Sequence, residues 1–83
     1  MMRAEALGVA VAGAGAWGIS HVRVLAGLQG CKLVAIADPD PRARETAARF
    51  QPQRSYDQFE RLLDDRDVDA IVIATPARTH APL

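Results

Sequence analysis

The stretch VAVAGAGAWGIS, residues 9–20, decides the fold, because an apolar run gives way there to glycines at a fixed spacing. The run Leu7–Ala12 is typical of a strand that is covered on both faces. In the motif that follows, Gly13 would turn the chain sharply off the strand, Gly15 would leave the backbone open to a pyrophosphate, and Gly18 would allow close helix packing. The glycine motif alone is weak evidence, but between a strand and a helix it predicts a phosphate-binding turn.

The helix opened by this turn is predicted to run from Ala16 to Gln29. Its first amides, around Ala16 and Trp17, would face a bound phosphate with the positive end of the helix dipole behind them. Trp17 either lines such a pocket or packs on the sheet edge, and His21 is expected to be a buried or half-buried structural residue. Gly30 is predicted to stop the helix. The residues expected to share its apolar face are Val22, Leu25, Ala26 and Gln29.

A second apolar run, Leu33–Ala37, leads into Asp38, which follows Gly18 by 20 positions. A dinucleotide fold places here the acid that hydrogen-bonds the adenosine ribose, although Asp38 could also be only a turn residue before Pro39. A carboxylate accepts hydrogen bonds from a free 2′-hydroxyl and repels a 2′-phosphate, so Asp38 favours NAD over NADP as the cofactor. Arg42 lies nearby in the sequence and would soften that preference.

Two further helices are predicted before the last strand. One begins with Asp40 as its cap and Pro41 in its first position, and Pro52 ends it. The other is short and follows Ser55, which is predicted to form a capping box with Gln58. The expected apolar face of this short helix consists of Phe59, Leu62 and Leu63, and the stretch 53–55 is a candidate for a very short strand.

The last apolar run, Ala70–Ala74, is expected to return to the other side of the first strand. The predicted fold class is therefore α/β, a Rossmann-like three-layer fold with a partial parallel sheet. Thr75 and Pro76 would flank the crevice beside the glycine turn, with the Thr75 hydroxyl available to a ribose or phosphate, or they would merely end the strand. His80 follows near this crevice and is expected to be positional rather than catalytic.

The composition narrows the classes of partner. The 83 residues include ten Lys plus Arg and ten Asp plus Glu, a balance that argues against nucleic acid or an anionic membrane as partner. Cys31 is the single cysteine, so it cannot form an internal disulfide and is expected to be a small core residue. No apolar run is long enough to span a bilayer. Glu5 and three glycines disfavour a secretory leader, so a cytoplasmic protein is expected.

Asp65, Asp67 and Asp69 alternate like the start of a calcium-binding loop. The remainder of that pattern is missing, because Ala70 stands where the loop needs glycine and Pro76 stands where it needs a bidentate glutamate. A solvated acidic turn is therefore the expected structure of this segment.

Three stretches together resemble the N-terminal part of the Gfo/Idh/MocA oxidoreductase family. They are VAVAGAGAWGISHVRVL (9–25), LVAIADPDPRARETAARF (33–50) and YDQFERLLDDRDVDAIVIATPARTHAPL (56–83). The resemblance covers nearly the whole chain from about Leu7 onward. The segment ATPARTH (74–80) is especially similar to the one that follows the corresponding strand in this family.

The resemblance implies that NAD or NADP binds at the glycine turn and at Asp38, with Thr75 and Pro76 along the nicotinamide side. It implies hydride transfer to or from a carbon of a sugar, cyclitol or related polyol. The family's catalytic lysine follows the next strand, and a further catalytic Asp or His pair lies in a second, mainly β domain. The chain is therefore expected to be the N-terminal part of a dinucleotide-binding domain, ending before the catalytic residues. The Asn that is common after Thr-Pro is Ala77 here, which weakens the expected side-chain contact with the nicotinamide ribose.

A non-catalytic nucleotide-binding module is the alternative function. Flavoproteins share the glycines and often place Glu at the position of Asp38, whereas methyltransferases usually carry an acid at the start of the glycine turn, where this chain has Val11 and Ala12. An apolar last strand with an open edge favours self-association, so a homo-oligomer is expected. No catalytic residue or metal ligand is predicted. The residues predicted to bind the cofactor are Gly13, Gly15, Ala16, Trp17, Gly18, Asp38, Arg42, Ala74, Thr75, Pro76 and His80.

Overall fold

The structure, a computed structural model, describes residues 6–15 and 18–74. Strands and α-helices alternate along the chain, and two short 3₁₀ helices lie between them. In chain order the elements are β1 (Leu7–Ala12), α1 (Gly18–Gly27), β2 (Cys31–Ala37), α2 (Pro41–Ala47), a first 3₁₀ helix (Ala48–Phe50), β3 (Arg54–Tyr56), a second 3₁₀ helix (Phe59–Asp64) and β4 (Ala70–Ile73).

The four strands form one parallel sheet in the order β3-β2-β1-β4. The chain therefore moves outward from β1 through β2 to β3 and then returns to pair on the other side of β1. This confirms the predicted Rossmann-like α/β fold class and the predicted return of the last strand. The point at which the strand order reverses lies between β1 and β4, and ligands of such sheets bind at the carboxyl ends of the strands there.

The core lies on both faces of the sheet. On one face Val11, Leu33 and Ile36 pack with Val22 of α1 and with residues of α2. On the other face Leu62 of the second 3₁₀ helix lies in a cluster with residues of β1 and β2. Such burial on both sides is why β1 and β2 are continuously apolar rather than alternating.

A β-bulge in β2 shifts which side chains reach each face. Val9 pairs with Leu33 but Ala10 pairs with Ala35, so Val34 is an extra residue opposite β1. Val34 and Ala35 consequently lie in the same cluster, on the face of the second 3₁₀ helix. Side chains of a strand normally alternate between the two faces of the sheet, and the bulge interrupts this alternation before Asp38. It therefore determines which face each later residue of β2 lies on.

The first helix differs from its prediction. It ends at Gly27 rather than Gln29, although Gly30 does adopt a positive φ of 87° in the turn that follows. Val22 is buried and Leu25 is half-buried, as predicted. The prediction of a buried or half-buried His21 is wrong, because this side chain is exposed. Ala26 and Gln29 are also exposed, because the sheet is contacted by the narrower face that contains Ile19 and Val22.

The second helix confirms its start signals. The Asp40 carboxylate accepts a hydrogen bond from the Arg42 amide at 2.9 Å, and Pro41 occupies the first helical position. Ala43 and Ala47 are buried against the sheet. The α-helix ends earlier than predicted, and a 3₁₀ turn continues it to Phe50 before Pro52.

The predicted capping box at Ser55 and Gln58 is wrong. Ser55 lies within β3, and Gln58 precedes the second 3₁₀ helix, whose start has no side-chain cap. This element has three residues per turn, so Phe59 and Leu62 share one face whereas Leu63 points away. Leu62 is buried and Leu63 is 76% exposed, which corrects the prediction of Leu63 as a core residue.

The prediction of a solvated acidic turn at 65–69 is confirmed in part, because Asp67 and Asp69 are exposed. It is wrong for Asp65, and the carboxylates of all three residues are tied to other parts of the fold. The Asp65 side chain is only 4% exposed and accepts hydrogen bonds from the Arg54 guanidinium at 2.9 Å and the Tyr56 hydroxyl at 2.8 Å. Asp67 forms a second ion pair with Arg54 at 2.6 Å. The Asp69 carboxylate accepts the Gly8 amide at 2.8 Å, so this segment joins β3, β1 and β4.

We expect Asp65→Asn to lower the unfolding temperature by roughly 5 °C at neutral pH, equivalent to about 1 kcal/mol in a domain of this size. Burial acts to raise the pKa of the Asp65 carboxyl, yet the hydrogen bonds from its partners hold that pKa below its ordinary value. A depressed pKa contributes stability above the ordinary pKa, and this contribution is lost as the pH falls through the folded-state value. The difference between variant and wild type should therefore shrink below about pH 4.

Thermal unfolding followed by circular dichroism between pH 3 and 8 measures this difference. The matched control is Asp64→Asn, since Asp64 is an exposed neighbour whose side chain makes no hydrogen bond within the described residues. A deficit that is the same at every pH, or equal in the two variants, would contradict the role given to Asp65.

Candidate functional site

The glycine turn is joined to the end of β2 by its first two amides. Gly13 has a φ of 100°, a conformation that L-amino acids with a side chain rarely adopt, and its amide donates to the Ala37 carbonyl at 2.8 Å. The Ala14 amide donates to Oδ2 of Asp38 at 2.8 Å. The turn therefore has a set position relative to the acid that the sequence singled out.

The other two glycines of the motif differ in what surrounds them. A Cβ added at Gly18 would collide with the carbonyl group of Gly13, so only glycine lets the helix start so close to the turn. A Cβ added at Gly15 would meet no atom of the described residues within 4 Å, apart from the chain neighbours of Gly15. Gly18 thus serves the packing of α1 against the turn, whereas Gly15 borders open space on the side where a ligand would approach.

Asp38 is held at its backbone and at its carboxylate. Its amide donates to the Tyr56 carbonyl at 3.0 Å, and its own carbonyl accepts a hydrogen bond from the Arg44 guanidinium at 2.7 Å. Besides the Ala14 amide on Oδ2, Oδ1 accepts the Asp40 amide at 2.9 Å. An ionised carboxylate has about four acceptor positions, so about two remain for hydroxyl groups of a ligand.

An open groove of about 320 Å³ lies between the glycine turn and α2. Ala14 and Gly15 border one side, and Arg42 and Thr46 border the other. The groove is at the carboxyl edge of the sheet, where a dinucleotide fold holds the adenosine half of its ligand. Its remaining lining residues are Ile19, Asp40 and Ala43. Two of its lining residues, Ala14 and Asp40, donate hydrogen bonds to the Asp38 carboxylate.

Residue Ala74 lies at the switch point. Its amide donates to the Ala12 carbonyl at 2.9 Å, which extends the pairing of β4 with β1 by one bond. A Cβ on Gly18 would come within 3.6 Å of the Ala74 Cβ, so the two segments are adjacent. The structure thus brings together Gly13, Gly15, Gly18, Asp38, Arg42 and Ala74, whereas the predictions for Ala16, Trp17, Thr75, Pro76 and His80 lie outside the described residues.

The sequence analysis missed Arg44, the residue that contacts the Asp38 carbonyl. The sequence signal that could have identified Arg44 is its spacing from Asp40, the residue that caps α2. Arg44 lies four positions after Asp40, and its amide makes the first helical hydrogen bond to the Asp40 carbonyl at 3.2 Å. A long basic side chain one turn into a helix that starts beside a strand end can return to that strand end.

Within the ranges 6–15 and 18–74, no cluster of three or more His, Cys, Asp or Glu side chains could hold a metal ion. Cys31 begins β2 at the opposite edge of the sheet and is half-buried rather than a core residue, because the first residue of the strand is only partly covered. None of the helices described is long and apolar enough to cross a membrane.

Comparison with known proteins shows which family this chain resembles. The profile of the Gfo/Idh/MocA group, described as an oxidoreductase family with an NAD-binding Rossmann fold, matches residues 7–83. An inositol 2-dehydrogenase of Saccharopolyspora erythraea is 40% identical over 79 residues, an alignment that covers 93% of this chain and 23% of the relative.

Two crystal structures show the same similarity in three dimensions. The myo-inositol dehydrogenase of Lactobacillus casei, in complex with NAD(H) and myo-inositol, has a TM-score of 0.76 and 36% identity, covering 84% of this chain and 22% of that protein. GenD2 from gentamicin A biosynthesis, in complex with NAD, has a TM-score of 0.83 and 37% identity, covering 99% and 24%. The chain thus spans less than a quarter of the length of these relatives.

Proposed function

The chain belongs to the Gfo/Idh/MocA oxidoreductase family, and from this premise we propose that it binds NAD through the glycine turn, Asp38 and the groove beside α2. The observation that carries the proposal is the hydrogen bond that the Ala14 amide donates to the Asp38 carboxylate. It supports the proposal because it holds the glycine turn beside Asp38, and a single dinucleotide would need its diphosphate and its ribose bound next to each other.

The adenosine half of NAD has a complementary place for each of its parts. The diphosphate would lie over Gly15, beside the start of α1, where an added Cβ meets no atom of the described residues other than the chain neighbours of Gly15. The ribose hydroxyls would donate to the two remaining acceptor positions of Asp38. The adenine would lie in the groove against Arg42 and Thr46, whose side chains supply an aliphatic stem and a methyl group.

The nicotinamide half is assigned to the segment after β4. Ala74 sits beside Gly18 and pairs with Ala12 at the switch point. Thr75, Pro76 and His80 follow it, and we assign them to the nicotinamide side on their order in the sequence. NAD supplies hydride chemistry when bound, and the role of these residues is to orient its ring.

For the whole protein we propose an oxidoreductase that transfers a hydride between NAD and a cyclitol or related polyol. The support is the set of relatives named inositol 2-dehydrogenases. On this proposal residues 1–83 form the N-terminal part of the dinucleotide-binding domain. Self-association stays a prediction, for which the support is the exposed edge of β4, where Ile73 is 65% exposed.

Calorimetric titration of the chain with fragments of the cofactor tests the proposal. We expect ADP-ribose to bind within about threefold of NAD, because the glycine turn, Asp38 and the groove are all assigned to the adenosine diphosphate half. Nicotinamide mononucleotide should bind at least about 100-fold more weakly, since it lacks the adenosine that Asp38 and the groove would contact and has only one of the two phosphates. Equal binding of the two halves, or no heat with NAD, would contradict the proposed site. A visible flavin absorption band in the purified protein would favour the flavoprotein alternative instead.

A further inference from the structure

Arg44 has no place in the site as proposed so far, although its side chain contacts the backbone of Asp38. It is half-buried in α2, and its Nη1 donates to the main-chain carbonyl of Asp38 at 2.7 Å. The guanidinium forms no ion pair within 4 Å inside the described part of the chain, where the recorded pairs are both made by Arg54. Arg44 therefore holds the backbone of Asp38 and leaves the charge of its carboxylate unpaired.

We propose that Arg44 is a positioning residue that sets the preference for a dinucleotide with a free 2′-hydroxyl over one with a 2′-phosphate. This inference rests on the proposed function, in which the Asp38 carboxylate contacts the adenosine ribose. A 2′-phosphate could be accepted only if that carboxylate moved away, because two anions in contact repel each other. The preference consequently depends on how firmly Asp38 is held as well as on its charge.

The contacts around Asp38 explain why Arg44 would determine how rigidly Asp38 is held. The Asp38 carbonyl belongs to the peptide bond with Pro39, whose nitrogen has no hydrogen, so this peptide group can be held only through the carbonyl. Arg44 is the group that holds it, with a charged donor. Rotation of this peptide would also move Asp40, whose amide holds Oδ1 of Asp38.

Arg44 has one competing role, that of a cation that attracts a 2′-phosphate. The two roles give opposite results when the guanidinium is removed. A positioning residue, once lost, lets the acid move and reduces the discrimination against NADP. A phosphate ligand, once lost, weakens NADP binding and increases that discrimination. The direction of its Nη1 toward a carbonyl rather than toward the groove favours the positioning role.

The test compares dissociation constants for NAD and NADP in the whole chain and in variants. Arg44→Gln and Arg44→Met both remove the charged donor, and the second keeps the aliphatic packing of the side chain. We expect the Kd for NAD to rise about tenfold, as loss of one charge-assisted hydrogen bond allows. The Kd for NADP should change less than about twofold, so that the ratio of the Kd for NADP to the Kd for NAD falls at least about fivefold. Arg44→Lys, which retains a charged donor, should restore most of the ratio.

The control is Arg49→Gln, because Arg49 is exposed, carries the same charge, and makes no side-chain hydrogen bond inside the described ranges. Equal increases in the two dissociation constants of the Arg44 variants, or a larger ratio of the Kd for NADP to the Kd for NAD, would overturn this proposal. The proposed function would still hold if the wild type binds NAD. If the wild type binds neither dinucleotide, the proposed function fails first and this inference fails with it. Circular dichroism of each variant shows which of the two donor-free variants is folded and suitable for the comparison.

Discussion

Gly18→Ala should unfold the chain or leave only a small folded fraction. The added Cβ would overlap the Gly13 carbonyl group, which is backbone and cannot rotate aside as the end of a side chain would. Relief requires α1 to move away from the turn, which would open the core around Val22. Overpacking of this kind costs about 3 kcal/mol or more, a large part of the roughly 4–12 kcal/mol expected for a domain of this size.

The matched control for this variant is Gly15→Ala in the same turn. Its Cβ would meet no atom of the described residues within 4 Å apart from its chain neighbours, and its φ lies outside the left-handed region. Its unfolding free energy should therefore stay within about 1 kcal/mol of wild type. Its Kd for NAD should nevertheless rise at least about tenfold, because the methyl group would occupy the approach of the diphosphate. Urea unfolding and calorimetric titration separate the two effects. Equal stability of the two variants would disprove the structural role of Gly18.

Asp38→Ala is expected to have the largest effect on cofactor choice. Two hydrogen bonds from ribose hydroxyls to a carboxylate would be lost, so the Kd for NAD should rise on the order of 100-fold. The Kd for NADP should change by no more than about threefold. Loss of the repulsion between the Asp38 carboxylate and the 2′-phosphate offsets loss of the contacts of Asp38 with the ribose. Titration of both dinucleotides measures the change in their ratio.

The Asp38 carboxylate also accepts the Ala14 and Asp40 amides, so the alanine variant should be less stable than wild type. Asp38→Asn separates the two roles, since it keeps one side-chain oxygen as acceptor but removes the charge. It should retain more of the stability than Asp38→Ala and still lose most of the preference for NAD. Unchanged affinities for both dinucleotides in the two variants would show that Asp38 does not contact the ribose.

Much of the fold could be predicted because the signals are local. The apolar runs of β1 and β2 and the start of α2 at Asp40 depend on neighbours in sequence, and the structure confirms them. The glycine spacing likewise predicted a tight turn, because close approach at Gly18 is a property of a few consecutive residues.

The predictions that were wrong depended on distant partners. The buried pairing of Asp65 in the acidic segment was not predicted, because its partner Arg54 lies more than ten positions earlier in the sequence. Ser55 fits a capping box by pattern, but pairing with β2 holds it in a strand. His21 is exposed because α1 contacts the sheet through a narrower face than its apolar residues suggested.

The sequence by itself determined the order of strands and helices, the glycine turn and the acid that follows β2. Only the tertiary structure decided that this acid is tied to the turn through Ala14 and to α2 through Arg44. Local backbone preference acts over a few residues and is therefore visible in a linear pattern. A hydrogen bond between segments 24 positions apart depends on how the sheet brings strand ends together, which no short stretch of sequence encodes.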